Sequence, residues 1–159
     1  MAVEIRRGTV NDIPKIKDCL INSWVDHAKQ EPELLDEERM RQSDIEGYYQ
    51  KCFENADKCF VFVAEKDGNF AGFQRADIQE IQSFFRHNRI LYLDDAFVLP
   101  EFRRQGIATK LIQEAENIAR EKDIKRIQCR VYTFNKSTQK LLSKLGYRTP
   151  YATWDKVLK

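Results

Sequence analysis

The stretch from Ile90 to Ala119 constrains the fold more than any other part of this 159-residue chain. Ile90 to Leu99 is rich in apolar and aromatic residues and reads as a buried strand. Pro100, which has no N–H for a ladder, ends it. A short basic loop follows, Arg103-Arg104-Gln105-Gly106-Ile107-Ala108-Thr109. From Ile107 the apolar residues take helical spacing: Ile107, Leu111, Ala115 and Ile118, with Ile112 and Ala119 beside them. The loop therefore delivers a strand into a helix N-terminus, where unsatisfied N–H groups and the positive end of the helix dipole favour phosphate. Gly106 lets an anion approach the main chain, Arg103 and Arg104 add charge, and Ala108 keeps the helix start small. The amides of Gln105 to Thr109 read as a pyrophosphate cradle. The chain has no P-loop and no Gly-x-Gly-x-x-Gly fingerprint.

An Arg-x-x-Gly-x-Ala loop after a strand ending Phe-Val-Leu-Pro resembles the acetyl-CoA signature of the GNAT superfamily of N-acetyltransferases, through Arg103, Gly106 and Ala108. A second segment, Asn135 followed by Leu141-Leu142-Ser143-Lys144-Leu145-Gly146-Tyr147, is similar to that family's late helix. The resemblance is sharpest from Ile90 to Tyr147 and extends over essentially the whole chain.

The remaining chain agrees in outline. Val3 to Arg6 is a short strand. Thr9 and Asp12 form a capping pattern before a helix carrying Ile13, Ile16, Leu20 and Trp24 to about His27. A second helix is expected from Asp36 to Phe53, with a break near Gly47. Its acids, among them Glu37, Glu38, Asp44 and Glu46, read either as a solvated face or as a rim that attracts a cationic amine. Phe60–Ala64 and Phe70–Ala76 form a hairpin about Asp67-Gly68. Arg126–Tyr132 alternates as a strand, Ser137–Lys144 is a short helix closed by Gly146, and Tyr151–Leu158 reads as a last strand. The expectation is one α/β domain over residues 1–159, a GNAT-like mixed central sheet flanked by helices in the order β-α-α-β-β-β-α-β-α-β.

Composition narrows the partners. No apolar run approaches a membrane span, and the N-terminus lacks a signal-peptide pattern, so a cytoplasmic protein is expected. A net charge of +2 gives no nucleic-acid footprint. Cys19, Cys52, Cys59 and Cys129 form no Cys-x-x-Cys, and with His27 and His87 they make no metal spacing. Cys19, Cys59 and Cys129 fall in apolar runs and read as buried free thiols.

Asp94 and Asp95 are the candidate catalytic pair. Two carboxylates within an apolar strand are costly unless paired or used. In a regular strand they point to opposite faces, so that one faces the acceptor. An arginine such as Arg130 is a candidate structural partner for one of them. Tyr92-Leu93-Asp94-Asp95-Ala96-Phe97-Val98 also resembles the spermidine/spermine N-acetyltransferase strand, which implies Asp94 as base and Asp95 as substrate anchor, with the reverse open.

The resemblance further implies acetyl-CoA as cofactor, with Phe97, Val98 and Leu99 pairing its pantetheine arm. The Val98 N–H would face the thioester oxygen, and Arg103 to Thr109, Asn135 and Lys140 would make further contacts. It implies direct transfer in a ternary complex to a small primary amine, polyamine-like or aminoglycoside-like. A protein N-terminus or lysine is the rival acceptor, and a CoA-binding sensor the rival of another class. No nucleic acid, membrane or metal is expected, and a homodimer is expected from family habit. The family's late-helix tyrosine, general acid for the thiolate, is replaced by Leu142, which leaves Tyr132 and Tyr147 as alternative hydroxyls.

Overall fold

The computed structural model describes residues 2–158. Five strands form one sheet in sequence order: β1 (Val3–Arg7), β2 (Cys59–Lys66), β3 (Asn69–Glu80), β4 (Arg89–Val98) and β5 (Ile127–Cys129). The first four pair antiparallel, and β5 joins β4 in parallel. Five α-helices cover the faces: α1 (Ile13–Gln30), α2 (Glu37–Arg41), α3 (Ile45–Glu54), α4 (Ile107–Glu121) and α5 (Lys136–Lys144).

The nearly continuous apolar run of β2 follows from burial on both faces. Phe60, Phe62 and Ala64 pack with Leu91, Leu93 and the α4 residues Ile107, Leu111, Ile112 and Ala115. Val61 and Val63 face the other way, against Ile16 and Leu20 of α1 and Tyr49 of α3. The capping pattern at Thr9 and Asp12 is present, preceded by a salt bridge from Arg6 to Asp12 at 2.8 Å. The β2–β3 turn puts Asp67 and Gly68 at φ 53° and 76°, the positive angles that a two-residue hairpin needs.

Four expectations change. The helix expected over Asp36–Phe53 is broken between Arg41 and Ile45, because Asp44 caps a new helix by accepting from the Gly47 N–H at 2.9 Å. Gly47 makes room for that cap: a Cβ there would lie 2.2 Å from Asp44 Oδ2.

The strand expected over Arg126–Tyr132 shortens to Ile127–Cys129, since β4 turns away after Leu93. Tyr151–Leu158 forms no strand; no sheet partner reaches it, and its side chains are exposed. Finally, Cys59 is not a free thiol. It is disulfide-bonded to Cys52, because the last turn of α3 and the first residue of β2 lie 5.3 Å apart at Cα. Cys19 and Cys129 are free, Cys19 buried and Cys129 half-buried.

Candidate active site

The feature that builds the site is an irregularity in β4. Ala96 to Val98 are registered against Gln74 to Gly72, whereas Leu93 is registered against Ala76. Between these, Asp94 and Asp95 together oppose Arg75. This is a β-bulge, which bends a strand and re-aims its side chains. The opposite-face geometry expected for a regular strand therefore does not hold, and both carboxylates gather on one guanidinium.

Arg75 is 5% exposed. Its Nη1 donates to Asp94 Oδ2 at 2.5 Å and its Nη2 to Asp77 Oδ2 at 2.6 Å, while Asp95 Oδ2 lies 3.9 Å from Nη1. Burial works against the Arg75 charge, but Asp77, with the two tyrosines and Asp94, more than restores it. The partner of the aspartates is thus Arg75 and not Arg130. A charged residue inside the apolar run Phe70–Ala76 costs as much as the aspartates do, and that cost is the signal by which sequence reasoning could have found it.

The two aspartates differ in surroundings. The Asp94 side chain is 39% exposed and carries the direct ion pair. Asp95 is 14% exposed and accepts a hydrogen bond from the hydroxyl of Tyr49 at 3.0 Å. Burial, reinforced by the Asp94 charge, pushes the Asp95 carboxyl up to about 6, against the opposing pull of Tyr49 and Arg75. Asp77 is also raised, chiefly by burial. Tyr48 lies over the guanidinium at 4.4 Å and edge-on to Tyr49. Tyr49 and its role are not readable from the sequence, where it is one aromatic on an apolar helix face.

Beyond the bulge, β4 has a free edge. β5 pairs with it only as far as Leu93. The Leu99 N–H donates to the Ala71 carbonyl at 3.0 Å, so by alternation the Val98 N–H points away from β3, into the gap. Arg103 turns back to donate to the Val98 carbonyl at 3.0 Å and lies over the Phe97 ring. Gly72 permits this close approach of strands: a Cβ there would meet the Phe97 carbonyl at 2.4 Å.

The loop then enters α4 through Gly106, at φ 77°, with Arg104 also at positive φ, 63°. No side chain caps α4, which leaves the first-turn N–H groups of Ile107, Ala108 and Thr109 for an external acceptor. The space above the Gly106 Cα is open for at least 4 Å. Arg103, Arg104 and Gln105 are exposed, and Lys66 hydrogen-bonds Gln105, bringing a further cation to the loop. An uncapped helix start, a bare glycine and three cations fit a diphosphate.

Other expected contacts are not gathered there. Asn135 caps α5, accepting from the Thr138 N–H at 3.2 Å, and Lys140 is exposed on that helix. Among the described residues, neither hydrogen-bonds to the loop. Leu142 is buried, Tyr147 donates its hydroxyl to Glu116 at 3.2 Å, and Tyr132 stacks on Phe134 and His27. The acids of α2 and α3 are largely spent locally: Asp36 and Asp44 cap, Glu37 pairs with Arg41, and Glu46 with Lys17.

Comparison with known proteins identifies the family. Residues 21–147 match the acetyltransferase (GNAT) family. An uncharacterized N-acetyltransferase of Archaeoglobus fulgidus is 30% identical over 148 residues, 93% of this chain and 95% of the relative. A thialysine N-epsilon-acetyltransferase of Bos taurus is 36% identical over 58 residues, 36% of this chain and 34% of its own. The fold is that of the aminoglycoside N-acetyltransferase AAC(6')-Iy, solved in complex with CoA. The TM-score is 0.75 at 19% identity, with 99% of this chain and 95% of that one covered. No helix among the described residues is long and apolar enough to cross a membrane. With the strand, loop and helix start in place and the match spanning most of its length, the chain belongs to the acetyltransferase (GNAT) family and is an N-acetyltransferase whose acetyl donor is acetyl-CoA.

Proposed function

We propose that this enzyme acetylates the primary amine of a small cationic acceptor, aminoglycoside-like or polyamine-like, and that Asp95 takes the proton from the ammonium. The observation that carries the reading is the position of Asp95, buried at the bulge where β4 parts from β5. An alkylammonium holds its proton near ~10.4 and an ordinary Asp near ~3.9, a mismatch of roughly 9 kcal/mol for direct transfer. With Asp95 near 6, the mismatch falls to roughly 6 kcal/mol at ~1.4 kcal/mol per pH unit. Asp94, tied to Arg75, serves as the anchor; this is the reverse of the roles the strand resemblance favours. Three carboxylates around one guanidinium leave excess negative charge to hold a cationic acceptor.

Acetyl-CoA supplies the acetyl group as an activated thioester. Phe97 to Leu99 present the free edge of β4, and the Val98 N–H is the donor assigned to the thioester oxygen. The first turn of α4, with Arg103, Arg104 and Gln105, is assigned to the diphosphate. Leu142 offers no proton to the leaving sulfur, which with a thiol pKa near ~8.5 departs without one at modest cost. Relatives acting on thialysine and on aminoglycosides support a small, amine-rich acceptor.

The test is release of free CoA with spermidine, an aminoglycoside, thialysine, a lysine-containing peptide and free amino acids. Release on a small polyamine or aminoglycoside well above the blank is expected, and release on the peptide alone would discard the acceptor class. Asp95→Asn is expected to lower kcat/KM by about 100-fold or more with acetyl-CoA binding retained. A loss confined to Asp94→Asn would exchange the two roles.

A further inference from the structure

We propose that Tyr49 is a positioning residue for the transfer: its hydroxyl pins one oxygen of Asp95 and thereby selects the other as the oxygen presented to the acceptor. This rests on the reading of Asp95 as the base.

Tyr49 is wholly buried, on the face of α3 that also carries Ile45 and Cys52. Its ring stands edge-on to Phe73 at 6.3 Å between centroids, and Phe73 is directly opposite Phe97 on β4. One turn further along α3, the Cys52–Cys59 disulfide ties the helix to the first residue of β2. The hydroxyl therefore has little freedom.

It donates to Asp95 Oδ2 at 3.0 Å, the same oxygen that faces Arg75 Nη1 at 3.9 Å. No protein donor is found on Oδ1 among the described residues. The Gln74 amide donates to the Asp95 carbonyl at 3.2 Å and fixes the bulge backbone. Deep burial, with the Asp95 charge beside it, holds Tyr49 in its protonated form. Tyr49 is thus a donor only and cannot itself take the acceptor's proton.

The ionisable groups around Asp95 are Asp94 on β4, Arg75 and Asp77 on β3, and Tyr48 and Tyr49 on α3. Among them Tyr49 is the one that hydrogen-bonds the carboxylate directly, and a hydrogen bond to the ionised form favours that form. Removing the hydroxyl should raise the proton affinity of Asp95 without altering the volume of the core.

The experiment is the carbon-13 titration of the Asp95 carboxyl in the full-length protein, for wild type, Tyr49→Phe and Tyr48→Phe. It requires no acceptor. Tyr49→Phe is expected to move the midpoint up by about 0.5 to 1 in pH, a three- to tenfold gain in proton affinity. The acidic limb of kcat/KM should move with it, while Tyr48→Phe, the same change one residue away, leaves the midpoint within about 0.2 of wild type. An unmoved midpoint in Tyr49→Phe overturns the proposal whatever happens to the rate. An acidic limb that persists in Asp95→Asn overturns the base assignment, and the positioning role with it, even if the midpoint moves.

Discussion

Burying a carboxylate beside a second one costs stability at Asp95. Its carboxyl is raised to about 6 by burial and by the Asp94 charge, whereas an unfolded chain releases the same proton near ~3.9. Between those values the folded state binds more protons than the unfolded state. Stability therefore falls as pH rises through about 4 to 6, and the cost is fully present above that window. It amounts to at most about 3 kcal/mol. Asp95→Asn removes the titration and keeps an oxygen for the Tyr49 hydroxyl. Thermal melts of the pair should show the variant gaining on wild type from pH 5 to pH 7.5, and a gap independent of pH would show that Asp95 does not titrate in this window. At this scale the sequence exposes the aspartates through their cost in an apolar strand, but not their different surroundings. Those depend on Arg75 and Tyr49, which arrive from 19 and 46 residues away.

The element that brings Tyr49 to Asp95 is α3, and its anchor is covalent. Cys52 and Cys59 close a short loop between the helix and β2, and Cys59 is registered beside Asp77, itself bound to Arg75. The chain-entropy account of so short a loop gives roughly 2.5 kcal/mol. Cys52→Ala with Cys59→Ala should lower stability by about that amount and raise the acceptor KM more than the acetyl-CoA KM. Thiol titration of the unfolded, unreduced protein should count the thiols of Cys19 and Cys129 and no others; four titrating groups would mean that the bond is absent. The strand–loop–helix from β4 to α4 was legible because it is local: an apolar run, a proline, a glycine and a helical repeat. The bulge at Asp94 and Asp95 was not, since it exists only in the register with β3. Nor was the early end of β5, which follows from the same turn of β4. The helix break near Gly47 was legible, but its cause was not: Gly47 was read as a weak helix former, when its role is to admit the Asp44 cap.

Across the whole molecule, two cores on opposite faces of the sheet hold most of the buried apolar residues, and the segment after Arg148 joins neither. Its sequence reads as a strand because Tyr151, Thr153 and Val157 favour extended backbone. Propensity without a partner makes no strand, however, and Trp154 and Leu158 are 94% and 81% exposed. A segment that joins neither core and leaves its apolar side chains half or more exposed contributes little hydrophobic stabilisation. Truncation after Arg148 should therefore leave the melting temperature within about 2 °C of the full chain, given that ~1 kcal/mol shifts a domain of this size by roughly 2–4 °C. Acetyl-CoA should raise both melting temperatures alike, since the β4 edge and the start of α4 stay intact. A fall beyond about 5 °C would mean that the tail is buried against something in solution. If sedimentation then showed the full chain as a dimer and the truncated chain as a monomer, the partner would be a second copy, and the apolar residues that stand exposed on one chain would be the contact between two.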